Sequence, residues 1–297
     1  MKLSIGFVGL GLMGDRMAMR LLDGGYKLSV FNRTKEKAKS LVARGASWCD
    51  SPKLVAAQSE LVISMVSNSE ALTEIATAGN GVLEGAHDGS IHIDMSTVSP
   101  AVTRRLGEEY AKRKYSFLHS PVLGSVPQAT DGSLLLFVGG DDDAYKRAED
   151  ALRNLGNKIW RFERPEQASH AKLLCNLFIA GMGTTLAQAL VYAVKAEVNP
   201  ETLLDIISHS ALNAPMYQTK GNSILERNFA PRFFVEHMLK DVNLILEAGG
   251  TMNAPLPTIR AAQALFSAAA KAGFGREDYS AVVKVLEQQA GVEVKKR

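Results

Sequence analysis

The chain has 297 residues, 46% of them hydrophobic and 22% charged, the balance of a globular protein with one large domain or two modest ones. A net charge of +3 is too small to argue for nucleic acid or a membrane surface as partner, and the basic end Lys295-Lys296-Arg297 reads as a solvated terminus. Two cysteines, Cys49 and Cys175, exclude a disulfide framework and fit a reducing, cytoplasmic setting.

The first residues, Met1-Lys2-Leu3-Ser4-Ile5, lack the long apolar core of a signal peptide. Short apolar runs then recur at 3–8, 27–31, 60–66, 90–95, 115–119, 134–138 and 158–162. Between them lie charged stretches of helical period, at 34–43, 100–114 and 141–155. Alternation of this kind predicts an α/β domain with a parallel, doubly wound sheet. The pattern changes at Arg164-Pro165. Residues 166–196 read as one long helix, with Pro165 suited to its first turn. Residues 173–194 are apolar enough to raise the question of a membrane span. Asn176, Gly181, Gly183, Thr184, Thr185 and Gln188 interrupt the run, and a buried central helix is predicted instead. Asn199-Pro200 opens a further helix, and helical stretches follow at 214–227, 233–248 and 257–272. The expected division is a dinucleotide-binding domain over 1–164 and an all-helical domain over 165–297, without internal repeats.

Gly9-Leu10-Gly11-Leu12-Met13-Gly14 is a G-x-G-x-x-G placed directly after the first apolar run and at the opening of a helix, within about thirty residues of the next strand. That context turns a common glycine pattern into a dinucleotide signature. Gly9 permits the tight turn, Gly11 lets the backbone approach a pyrophosphate, and Gly14 lets helix and strand pack closely. The helix N-terminus offers N–H groups and a partial positive charge to the phosphates. An acidic residue commonly ends the second strand in NAD-binding sites, where it accepts from the ribose hydroxyls. Here the sequence is Asn32-Arg33-Thr34. Asn32 removes the carboxylate that would repel a 2′-phosphate, Arg33 supplies a planar cation to pair with it, and Thr34 adds a hydroxyl. A charged hydrogen bond of roughly 1.5–3 kcal/mol would favour NADPH over NADH about ten- to a hundredfold.

Several segments together carry a resemblance. They are Gly9–Gly14 with Met17-Ala18, Leu21-Leu22 and Gly25-Tyr26; then Asp94-Met95-Ser96-Thr97-Val98-Ser99-Pro100; then Ser120-Pro121-Val122 with Gly124; then Lys172 with Asn176; and Lys240-Asp241. In this combination, spread over nearly the whole chain, the sequence resembles the β-hydroxyacid dehydrogenases, a family that includes 3-hydroxyisobutyrate dehydrogenases and glyoxylate/succinic semialdehyde reductases. The resemblance implies a Rossmann domain, a long interdomain helix, a helical C-terminal domain and a homodimer or homotetramer. It implies hydride transfer between a nicotinamide and a short hydroxy acid or its carbonyl form, with Lys172 catalytic and Asn176 assisting. Ser96, Gly124 and Ser125 fall at the substrate. Thr97 and Lys240 fall at the cofactor, as do Leu12 and Met13 in the glycine loop and Met65 and Val66 at the end of the third apolar run.

The chemistry suits those residue types. Moving a hydride to or from a carbonyl carbon requires a group that gives or takes the hydroxyl proton, and a lysine can do so when burial or a neighbouring cation lowers its pKa. Lys172 lies near the start of the apolar helix, and Asn176 is one turn later on the same face. Spacing alone favours a helix-start lysine that snorkels to solvent, which the resemblance reverses, and it allows Lys240 simply to pair with Asp241. Ser96 and Thr97 end a strand, at the carboxyl edge where open sheets bind ligands, although Ser and Thr before Pro100 also suit a helix cap. His170, two residues before Lys172, points to a different face and reads as structural. No cluster of His, Cys and Asp has metal-ligand spacing, so no metal is expected. Two departures from the family pattern stand out. Leu123-Gly124-Ser125 replaces the usual Ser-Gly-Gly, and Glu166 and Ala168 replace glycines that commonly precede the lysine. Two other readings use the same fold: an imine reductase, which generally lacks the lysine, and a cofactor-binding scaffold without turnover.

Overall fold

The computed structural model describes residues 2–296. Two compact units are present, Met1–Lys172 and Leu173–Arg297. The division falls inside the long helix rather than before it, because the first turns of that helix belong to the first unit. Ala168 there is fully buried, and Ser169 Oγ lies 2.9 Å from Thr103 Oγ1.

In the first unit the chain runs β1 (Ile5–Val8), α1 (Leu12–Asp23), β2 (Leu28–Phe31), a 3₁₀ turn (Lys35–Ala38), α2 (Lys39–Ala43), β3 (Ser47–Trp48), α3 (Pro52–Ala57), β4 (Leu61–Ser64), α4 (Ser69–Thr77), α5 (Val82–Gly85) and β5 (Ile91–Asp94). It continues through α6 (Pro100–Lys112), β6 (Ser116–His119), β7 (Val122–Leu123), α7 (Val126–Asp131), β8 (Leu134–Gly139), α8 (Asp142–Leu155) and β9 (Gly156–Phe162) into α9 (Pro165–Lys195). The strand order is β3-β2-β1-β4-β5-β6-β8-β7, with β9 paired to β8. Neighbours from β3 to β6 are parallel. Alternate residues of the central strands feed two separate cores. Ile5, Phe7, Ile63 and Ile93 pack on one face, and Val8 and Val62, against Leu106 and Tyr110 of the covering helix α6, on the other. Cover on both faces is what a parallel sheet requires, and it explains why these strands are continuous apolar runs.

The sheet is not parallel throughout. β8 is antiparallel to both β6 and β7. Only the six-residue α7 lies between β7 and β8, too short a connection for the crossover that parallel neighbours need. The longer α8 then returns the chain to a parallel β8–β9 pair. The helix expected over 34–43 is also broken, into the 3₁₀ turn and the short α2.

The second unit is helical: the remainder of α9, then α10 (Pro200–Ser208), α11 (Pro215–Leu225), α12 (Val235–Thr251), α13 (Pro257–Ala269) with a π turn (Ala270–Phe274), and α14 (Val282–Ala290). The last helix, not foreseen from its short pattern, contributes Val282, Val283 and Val285 to the unit's core. Of the basic end, Lys295 and Lys296 pair with Glu293 and Glu226, and Arg297 lies outside the described residues. α9 is long and apolar enough to cross a membrane by length and composition alone, and 44% of its most apolar window is buried inside the protein. The expected burial therefore holds for one face only. Leu174, Phe178 and Tyr192 are 58%, 66% and 74% exposed, because the helix is apolar on nearly all sides and its own chain covers part of it.

Candidate active site

The strand order reverses between β1 and β4, and ligands of open α/β sheets lie at such a switch point, beyond the carboxyl ends of the strands. The loops after β1, β2, β4 and β5 all emerge at that edge. They carry Gly9–Gly14, Asn32–Thr34, Met65–Val66 and Ser96–Thr97. A cleft of about 310 Å³ opens there. Gly9, Gly11, Asn32, Arg33, Thr34, Met65 and Val66, each expected at a cofactor, all line it.

Each glycine of the loop has its own reason. Gly9 has φ +99°, and a Cβ on it would lie 2.2 Å from the Met65 carbonyl oxygen. On Gly14 a Cβ would lie 2.0 Å from the Gly9 carbonyl oxygen. Gly11 differs: nothing lies within 4 Å of its Cβ position, and no side chain caps α1 there. The first-turn amides thus face open space that a Cβ would begin to fill, which fits an anion such as a pyrophosphate. Asn32 is more than a missing carboxylate. Its Oδ1 accepts from Leu10 N–H at 2.9 Å, and its Nδ2 donates to the Thr34 carbonyl at 2.9 Å. It therefore ties the glycine loop to the end of β2. Leu12 and Met13 form the start of α1. Leu12 is exposed, and Met13 packs partly on the core.

Lys37 was missed in the sequence. It lines the same cleft, four residues after Arg33, and the Lys35-Glu36-Lys37 run held that signal in a stretch read only as helix. Arg33 and Lys37 give the rim two cations. Glu74 on α4 is a carboxylate of the same cleft. The Arg33–Lys37 side of the cleft suits an anionic group of a dinucleotide.

Ser96 is fully buried. Its hydroxyl donates to Asp94 Oδ1 at 2.8 Å and accepts from Val66 N–H at 2.8 Å, so both bonds are internal. Thr97 beside it is half-buried. Gly124, on an exposed turn after β7, has φ +141°. Ser125 is the N-cap of α7 in a capping box with Gln128, whose Oε1 accepts from Ser125 N–H at 2.9 Å. The hydroxyl gained at 125 thus sits at a helix cap.

Glu166 and Ala168, where glycines were expected, lie within regular α9, which starts at Pro165. Lys172 is 8% exposed, an unusual degree of burial for lysine. Asn176 is buried one turn later, and its Nδ2 donates to Asp241 Oδ2 at 2.5 Å. Asp241 is itself buried, with Lys240 Nζ 3.0 Å from its Oδ1. The pairing that spacing allowed for Lys240 is present. Asp241 as the group that orients Asn176 was not anticipated, although the Lys240-Asp241 pair was noticed. Burial pushes His170 below the usual histidine range.

A doubly wound sheet, a glycine loop that keeps an anion-sized opening, and a cation-rimmed cleft at the switch point define a dinucleotide-binding oxidoreductase fold. Comparison with known proteins gives the family. Residues 4–162 match the NAD-binding domain of 6-phosphogluconate dehydrogenase, and residues 167–286 match the NAD-binding domain of NADP-dependent 3-hydroxyisobutyrate dehydrogenase. Glyoxylate/succinic semialdehyde reductase 1 of Arabidopsis thaliana is 34% identical, over 96% of this chain and 98% of its own. The 2-(hydroxymethyl)glutarate dehydrogenase of Eubacterium barkeri is 33% identical, over 99% and 98%. The structure of 3-hydroxyisobutyrate dehydrogenase from Mycobacterium tuberculosis, solved with L-serine, superposes with a TM-score of 0.88 at 27% identity, covering 96% of this chain and 99% of that one. The chain belongs to the NAD(P)-dependent β-hydroxyacid dehydrogenase family.

Proposed function

We propose that the protein is an NADP(H)-dependent reductase of short carbonyl acids, interconverting an aldehyde or keto acid with its hydroxy acid. When bound, the dinucleotide supplies or takes the hydride at its nicotinamide. Lys172 is assigned as the general acid–base that gives or takes the hydroxyl proton. Its burial on α9, an unusual setting for a lysine, with Asn176 buried one turn away, is the observation that carries this reading. Asn176, with its amide hydrogen directed to Asp241, keeps its carbonyl oxygen as an acceptor for that ammonium. The substrate is held at Gly124 and Asn176. Arg33, Lys37 and Thr34 take the 2′-phosphate, Gly11 and the start of α1 the pyrophosphate, and Met65, Val66, Thr97 and Lys240 complete the cofactor contacts.

The test follows NADPH consumption with glyoxylate and with succinic, tartronate and methylmalonate semialdehydes, using NADH and a cyclic imine as controls. The expected result is turnover of at least one acid, with NADPH well ahead of NADH. Lys172→Ala is expected to lose about a thousandfold in turnover while its NADPH Kd stays within about twofold. An unchanged Lys172→Ala enzyme would overturn the acid–base assignment, and reduction of the imine alone would replace the substrate class.

The exposed aromatic face of α9, with Phe178 and Tyr192, is larger than a lone apolar side chain and is assigned to a second copy in a homodimer or homotetramer. Cys49 and Cys175 are unbonded, in keeping with a cytoplasmic setting.

A further inference from the structure

Beneath the carboxyl edge of the sheet lies a hydrogen-bond chain that the proposed chemistry does not use. Asp94 ends β5 and is fully buried. Its Oδ1 accepts from Ser64 Oγ and from Ser96 Oγ, each at 2.8 Å, and its Oδ2 accepts from Ser96 N–H at 3.2 Å. His119 Nδ1 lies 3.2 Å from the same Oδ2. Ser64 gives its single proton to Asp94 Oδ1. His92 Nε2, 2.9 Å from Ser64 Oγ, must then donate to that oxygen, and His92 Nδ1 accepts from Tyr110 O–H at 2.7 Å. The donors run Tyr110 to His92 to Ser64 to Asp94, and on the other side Ser96 to Asp94.

The second arm reaches the cofactor cleft. With its proton committed to Asp94, Ser96 Oγ accepts from Val66 N–H. Val66 lines the cleft, and its Cγ1 and the Met65 carbonyl are the atoms that a side chain on Gly9 would strike. Carboxylate, serine, the β4 loop and the glycine loop are therefore contiguous. We infer that Asp94 is a positioning residue that locks the Met65–Val66 loop against the glycine loop through Ser96, and that Ser96 serves the cofactor cleft in this way instead of binding the substrate carboxylate. The hydroxyl has no second proton to offer a substrate anion, and donating to one would strip the buried Asp94 carboxyl of a hydrogen bond.

This inference rests on the dinucleotide reading of the cleft, and the two can fail separately. NADPH affinity of the full chain is measured by fluorescence titration, and folding by thermal melting, for the wild type and for Ser96→Ala, Asp94→Asn and Tyr110→Phe. The expected result is a rise in NADPH Kd of about five- to tenfold for Ser96→Ala and a larger rise for Asp94→Asn. Tyr110→Phe, at the far end of the chain, is expected to lower the melting temperature and leave the Kd within about twofold. Should Asp94→Asn fail to fold, Ser96→Ala carries the test alone. If Ser96→Ala keeps the wild-type NADPH Kd, or raises only the KM of the acid substrate, the inference is overturned and Ser96 is a substrate ligand. If the wild type binds neither NADPH nor NADH, the dinucleotide reading falls, and this inference with it.

Discussion

Arg33 and Lys37 line the cleft, and position 32 has an amide in place of a carboxylate; in the proposed reading the two cations take the 2′-phosphate. Each cation is worth one charge-assisted hydrogen bond. Arg33→Ala and Lys37→Ala are each expected to weaken NADPH binding about tenfold and to change NADH binding less than twofold, as read by parallel titrations. Equal losses for both dinucleotides would show that these residues do not read the phosphate. His92 makes a separate prediction. Burial holds its imidazole down at about 4, so the folded protein keeps it neutral while the unfolded chain takes up a proton below about 6.5. The stability it contributes is present above pH 6.5 and is lost as pH falls from 6.5 towards 4. Between pH 6.5 and 5 that loss is about 2 kcal/mol. Denaturant titrations at the two pH values should show a loss smaller by that amount in His92→Asn. The sequence placed the glycines and Arg33 because local spacing carries their signals, and pointed to Lys172 through the family resemblance. It could not show Asp94, Asp241 or Lys37 in their present settings, since the partners of Asp94 and Asp241 come from other strands and helices and the turn bearing Lys37 reads as ordinary helix.

Among the elements, the strand–turn–helix of β1 and α1 separates folding from binding. Gly14→Ala puts a methyl against the Gly9 carbonyl, backbone against which nothing flexible can yield. A loss of about 3 kcal/mol of stability is expected. Gly11→Ala meets only open space, at a φ of −77° that any residue adopts. It should cost about 1 kcal/mol or less, yet place a methyl where the pyrophosphate must approach. Melting curves and NADPH titrations of the two variants are expected to diverge: Gly14→Ala loses stability, and Gly11→Ala folds normally but loses most of its affinity. The seven apolar strand runs and the longer helices were legible from their periodicity, whereas α3, α4, α5, α7 and α14 were not. The exceptions among the strands have physical causes. β3 and β7 are two residues each, too short to show a period, and β8 turns antiparallel because of a short connection.

For the whole molecule, the long helix sets the expectation. An apolar helix with one face covered by its own chain leaves Phe178 and Tyr192 in water unless another surface covers them. Sedimentation of the wild type is expected to give a dimer or tetramer, and Phe178→Glu should shift it towards the monomer. A monomeric wild type would leave the exposed face without its assigned partner.

The sequence by itself determined the two-part organisation, the dinucleotide loop and the family, and pointed to Lys172, because each is written in residues close together or in a pattern shared with relatives. Only the tertiary structure decided what Ser96 and Ser125 bond to, that Asn32 clamps the glycine loop, and that α9 is half covered. Those outcomes depend on which atoms from distant segments compete for a single proton or a single face. A hydroxyl donates once and a helix side is covered once, and the choice among partners is made by packing.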